Sequence, residues 1–142
     1  MAVLLTGKPV AAALSADPPT RAEAPLSKGV QPRLGRLRCG DTEADGAYIR
    51  GAVKRAALCG VAAELRTLPA DASADVVAAA IDAVNRDPAV HGCLLLRPLP
   101  PHLRGAESAL CARLAPDQDV DGMPPESAPA VFTGTGTGLR PS

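Results

Sequence analysis

A chain of 142 residues with fifteen basic and fifteen acidic side chains has room for one domain that buries about 70% of its unfolded surface. The cancelling charges give no support for non-specific attraction to nucleic acid or a membrane surface, and they suit a small neutral or anionic ligand better. Tyr48 and Phe132 are its two aromatic residues, so the core has to be built from Leu, Val, Ile and Ala, and ring-stacking on a ligand falls to Tyr48.

The opening MAVLLTGKPVAAAL has apolar stretches but no basic leader. Lys8 and Pro9 interrupt it before roughly 18 apolar residues accumulate, which predicts a soluble, cytoplasmic protein. After this segment, which runs to Lys28, the punctuation predicts a strand over Arg33 to Cys39 and a helix over Asp45 to Cys59. A strand over Val61 to Leu68, a helix over Ser73 to Asn85, a strand over Val90 to Leu96 and a helix over Leu103 to Leu114 follow. The order βαβαβ predicts an α/β fold with a parallel sheet and helical crossovers. Ser73 is a candidate N-cap, and Val76, Val77, Ala80, Ile81 and Val84 form an apolar stripe at helical spacing. Asp87-Pro88 ends that helix, and the run Cys93 to Leu96 reads as a strand buried on both faces.

Cys39, Cys59, Cys93 and Cys111 lack the paired spacing of a zinc or redox site and read as buried reduced thiols. His91 and His102, eleven positions apart, add little to a metal reading, and no metal is expected. In the second helix Gly51, Ala52 and Arg55 share the face of Tyr48. The small pair leaves room for a flat ligand beside the ring, and Arg55 could offer a charge-assisted bond to a carboxylate. Periodicity alone favours a blander account, a solvated basic face of Arg50, Lys54 and Arg55. Asp119, Asp121 and Gly122 form a loop whose carboxylates could accept hydrogen bonds from a heterocycle; alone, an Asp-Gly turn explains it as well. The glycine run Gly134 to Gly138 follows no clear strand and leads into Leu139-Arg140-Pro141, so it reads as a loop beside a ligand and not as a phosphate cradle.

Three segments in order, Tyr48 to Arg55 (YIRGAVKR), Gly92 to Pro100 (GCLLLRPLP) and Asp119 to Gly122 (DVDG), resemble the folate-binding half of the methylenetetrahydrofolate dehydrogenase/cyclohydrolase family. The resemblance covers nearly the whole chain and implies one folate-binding domain over 1–142, with the family's second, nucleotide-binding Rossmann domain absent from this chain. It implies a tetrahydrofolate derivative as ligand and NADP as cofactor, with no cofactor-binding residue in this chain. It also implies a homodimer at full length. Tyr48, Arg97, Pro98, Leu99 and Asp121 would contact substrate, Asp121 at the pterin. Tyr48 and Lys54 are the candidate catalytic residues, but the family's usual lysine lies four residues after the tyrosine, where this chain has Ala52. Lys54 lies about 120° round the helix from Tyr48, so without a bulge it points elsewhere. The glutamine that partners the usual lysine is also replaced, by Leu96. Both changes, with the FTGTGTG form, resemble a divergent branch of the family.

Two positions conflict with this frame. The resemblance implies a long first helix, yet Pro18, Pro19 and Pro25 predict that it is broken or shortened. Arg36 stands where the family has an apolar residue, and it is expected at an exposed edge or facing an anionic ligand, since unpaired burial is costly. These departures also admit a rival reading, a non-catalytic remnant that binds folate or only dimerises. An unrelated small α/β binding protein would require the three-segment match to be accidental.

Overall fold

The computed structural model describes residues 6–40 and 43–122, without the side chains of several positions in the first two helices, Tyr48 among them. Its elements are α1 (Lys8–Ser27), β1 (Arg33–Cys39), α2 (Glu43–Leu58), β2 (Ala62–Leu68), α3 (Ala74–Asn85), β3 (Gly92–Leu95), a 3-10 helix (Pro101–Ala106) and α4 (Glu107–Ala112). The three strands are parallel in the order β2-β1-β3. Leu37 faces Arg66 on one side and Leu95 on the other. The predicted α/β architecture therefore holds, with β1 in the centre.

Period-2 alternation divides β1 between two faces. Leu37 points into the main core, which joins Val77, Ile81 and Val84 of α3 to Leu99, Leu103, Leu110 and Leu114. The predicted stripe on α3 is the face that packs, and Ser73 Oγ caps the helix by accepting from the Val76 N–H at 3.3 Å. Val76 itself is exposed, at the margin of the stripe.

The structure corrects three expectations. First, α1 runs unbroken for 20 residues despite its internal prolines. Most of its described positions are exposed, and on an exposed helix a carbonyl deprived of its helical donor can bond water. It docks through Ala22 and Leu26, which lie where a Cβ on Gly60 would meet them at 3.2 and 3.6 Å.

Second, Arg36 is neither at an edge nor exposed: it sits on the central strand with 1% of its surface accessible. It lies on the face opposite the Leu37 core, beneath α2, and its Nη1 donates to the Ile49 carbonyl at 3.3 Å. Next to it Arg38 Nε donates to Thr67 Oγ1 at 3.1 Å. The acceptor that meets the buried Arg36 Nη1 is a backbone carbonyl of α2, packed over this face of the sheet.

Third, the predicted last helix is two pieces. Pro100 and Pro101 fix a tight 3-10 start, which His102 ties to the β2–α3 turn through a 2.9 Å bond from Nε2 to the Ala72 carbonyl oxygen. Only from Glu107 does the chain relax into α4.

Candidate functional site at the carboxyl ends of the strands

In a parallel sheet, side chains at the carboxyl ends of the strands border the crevice where ligands bind. Here that end presents Leu96-Arg97-Pro98-Leu99-Pro100, with a cis Arg97–Pro98 peptide. Three of the residues in 98–101 are prolines without an N–H, so Leu99 supplies the only backbone donor of that stretch. Glu107, in the first turn of α4, accepts it on Oε2 at 3.2 Å. The other carboxylate oxygen of Glu107 lies 3.6 Å from Arg97 Nη1. Arg97 and Pro98 are exposed, whereas Leu99 is 2% exposed and belongs to the core. The turn therefore offers Arg97 and Pro98 to the crevice, and the Leu99 side chain, expected to contact substrate, anchors it instead.

The Asp119 to Gly122 segment is brought beside β3 by backbone bonds that the sequence did not advertise. Asn85 at the end of α3 clamps the chain after α4, donating to the Arg113 carbonyl at 2.9 Å and accepting from the Ala115 N–H at 3.0 Å. The Cys93 N–H then donates to the Gln118 carbonyl at 2.6 Å, and Asp119 forms a parallel bridge with Cys93. Close approach needs Gly92, since a Cβ there would stand 2.6 Å from Val120 Cγ1.

Within this segment the two carboxylates divide their tasks. Asp119 is 1% exposed, and its Oδ1 accepts the N–H groups of Asp121 at 3.1 Å and Gly122 at 3.0 Å. Gly122 has φ of 68°, a conformation that favours glycine. Asp121 is left exposed. Burial pushes the Cys111 thiol of α4 up, and the charges of Arg97, Glu107, Asp119 and Asp121 all reach that thiol. The two motif segments are thus held side by side through the Cys93–Asp119 bridge.

Helix α2 carries the third segment. It is an uninterrupted α-helix over Glu43–Leu58, so no bulge rotates Lys54 toward Tyr48; Lys54 is exposed, about 120° away round the axis. The structure does not bring this expected catalytic pair together. The Tyr48 side chain, and with it the room expected beside its ring, lies outside the described residues; a Cβ on Gly51 would meet nothing within 4 Å. The Gly134 to Gly138 run also lies outside the described residues.

A shallow apolar hollow of about 280 Å³ lined by Pro32, Leu34, Val61, His91, Gly92 and Val120 lies at the amino ends of the strands, so it borders the start of the β3 segment and Val120 of the last one. His91 Nδ1 there accepts the Arg33 N–H at 3.2 Å. Among the described residues no group of three or more His, Cys, Asp or Glu side chains could hold a metal ion. Cys93 and Cys111 are buried and Cys39 and Cys59 half-buried. No described helix is long and apolar enough to cross a membrane.

The family model for the tetrahydrofolate dehydrogenase/cyclohydrolase catalytic domain matches residues 5–121. The chain belongs to this family. Among relatives of the tetrahydrofolate dehydrogenase/cyclohydrolase family, it is 36% identical over 141 residues to the bifunctional protein FolD of Alkaliphilus metalliredigens, covering 99% of this chain and 49% of that protein. It is 40% identical over 141 residues to the bifunctional protein FolD 2 of Frankia alni, covering 99% and 48%. The solved structure of bifunctional FolD methylenetetrahydrofolate dehydrogenase/cyclohydrolase from Campylobacter jejuni superimposes with a TM-score of 0.87 at 26% identity, over 96% of this chain and 48% of that one. The Trypanosoma brucei dehydrogenase-cyclohydrolase, solved with NADP and an inhibitor, gives 0.80 at 26%, over 92% and 44%. The chain spans about half the length of the curated relatives it matches, and the matched part is their amino-terminal domain.

Among residues with a place in the site, Glu107 and Asn85 escape a sequence reading. Only the proline-rich stretch after Arg97, which leaves one N–H needing an acceptor, hints at Glu107.

Proposed function

We propose that this chain is the folate-binding half of a methylenetetrahydrofolate dehydrogenase of one-carbon metabolism. The supporting observation is that the family match over 5–121 coincides with a fold in which the Arg97-Pro98 turn follows the carboxyl end of β3 and the Asp119 to Gly122 segment runs beside that same strand. In this reading Asp121 accepts hydrogen bonds from the N–H groups of the pterin, Tyr48 packs on the flat part of the ligand, and Arg97 and Pro98 line the crevice. The protein's contribution to dehydrogenation is then positioning: the methylene carbon is held in one orientation for loss of hydride.

NADP, homodimer formation and a cytoplasmic location belong to the same proposal. The described residues do not fit a dinucleotide: the turn from β2 to α3, Pro69 to Ser73, has no glycine and carries Asp71, the reverse of what a pyrophosphate needs at a helix start. No step is therefore assigned to NADP within this chain. Ala52 and Leu96 stand where the resemblance puts the lysine and glutamine of the cyclohydrolase proton transfers, so no proton transfer is assigned to these positions or to Lys54.

Calorimetric titration of the 142-residue protein with tetrahydrofolate tests the reading. Saturable binding that weakens on Asp121→Asn supports it, and absence of any binding at millimolar ligand would sink it.

A further inference from the structure

Among the described residues, Glu107 meets the exposed turn after β3 through both of its oxygens. Oε2 accepts the Leu99 N–H at 3.2 Å, and Oε1 faces Arg97 Nη1 at 3.6 Å. The first contact fixes the backbone of a turn that has no other N–H between Pro98 and Pro101. The second places the carboxylate beside a guanidinium whose side chain is 36% exposed. The carboxylate itself is 26% exposed, and it sits on the rigid first turn of α4, whose Leu110 and Cys111 are buried. A flexible arginine at a crevice mouth spends rotamer entropy whenever it grips a ligand, and a neighbouring carboxylate that restrains it beforehand lowers that cost. Guanidinium groups recognise carboxylates through charge-assisted bonds of defined geometry.

We propose that Glu107 is a positioning residue which, acting through Arg97, sets the site's selectivity for a ligand with a carboxylate-bearing tail. This rests on the folate reading of the crevice and deepens it: Asp121 takes the heterocycle, and Arg97, oriented by Glu107, takes the glutamate end. No covalent step is involved.

The test compares two probes, tetrahydrofolate and the analogue in which both glutamate carboxyls are amides. Glu107→Gln is the informative variant, because its amide oxygen still accepts the Leu99 N–H while the charge facing Arg97 is gone. Glu107→Gln and Arg97→Met are each expected to weaken tetrahydrofolate binding roughly five- to tenfold, with little effect on the diamide, and the double variant should be no weaker than Arg97→Met alone. Thermal unfolding of Glu107→Gln should match the unsubstituted protein. A purely structural role would instead shift both probes together or neither, so a selectivity ratio unchanged by Glu107→Gln overturns the inference while leaving the crevice reading in place. Failure of the unsubstituted protein to bind either probe overturns the crevice reading, and the inference falls with it.

Discussion

Asp119 holds Asp121 in place without sharing its exposure: the buried Oδ1 of the first accepts the backbone N–H of the second at 3.1 Å and that of Gly122 at 3.0 Å. Two carboxylates two positions apart are thereby separated into a buried scaffold and an exposed group, the one proposed to meet the pterin. Asp119→Ala should lower stability by about 1–3 kcal/mol, because two N–H groups lose a partly buried acceptor, and should also weaken tetrahydrofolate binding. Asp121→Ala should leave stability within about 0.5 kcal/mol while weakening binding. Denaturant unfolding and calorimetry on both variants check the split; equal stability losses would contradict it.

Packing between Gly92 and Val120 gives an independent handle on the same segment. A Cβ on Gly92 would lie 2.6 Å from Val120 Cγ1, so Gly92→Ala has to displace the Val120 side chain or the segment that carries it. We expect a cost of about 1–3 kcal/mol from overpacking and a loss of tetrahydrofolate affinity. Combining it with Val120→Ala should restore much of both.

The pair of Asp82 and Arg113 ties α3 to the end of α4 by two bonds of 2.6 and 2.7 Å. The Arg113 guanidinium holds the Asp82 carboxyl below the usual carboxylate range. A carboxyl with a depressed folded-state pKa contributes stability above its unfolded value, about 3.9, and loses it as pH falls through the lower folded value. Asp82→Asn should therefore lower the melting temperature at pH 7, and the deficit should shrink as pH is taken below about 4. A deficit that is constant with pH would show that the charge is not what matters.

Burial pushes the Cys93 thiol up to about 11, which leaves about one thiolate in a thousand at pH 8. Cys59 is half-buried. Iodoacetamide at pH 8 should modify Cys59 well before Cys93 in the native protein, with the difference abolished in denaturant. Peptide mass mapping over a time course reads this directly, and early labelling of Cys93 would contradict the buried strand.

The amino-acid sequence by itself determined the alternation of strands and helices, the N-cap at Ser73 and the apolar stripe of α3, because periodicity and capping are local. It also carried the three motif segments that mark the family. Tertiary structure alone decided the fates of Arg36 and Leu99, since which face of a central strand is polar, and which side of a proline turn is buried, depend on what packs there. The prolines predicted a broken α1, whereas the helix runs unbroken with most of its described positions exposed. The links that assemble the site, Asn85 to Arg113 and Ala115, Gln118 to Cys93 and Glu107 to Leu99, join residues 8 to 30 positions apart. Most of them run through backbone groups that every residue possesses. A backbone partner leaves no mark in the sequence, so only the folded chain shows which N–H or carbonyl Asn85 and Glu107 meet and how the Asp119 to Gly122 segment comes beside β3.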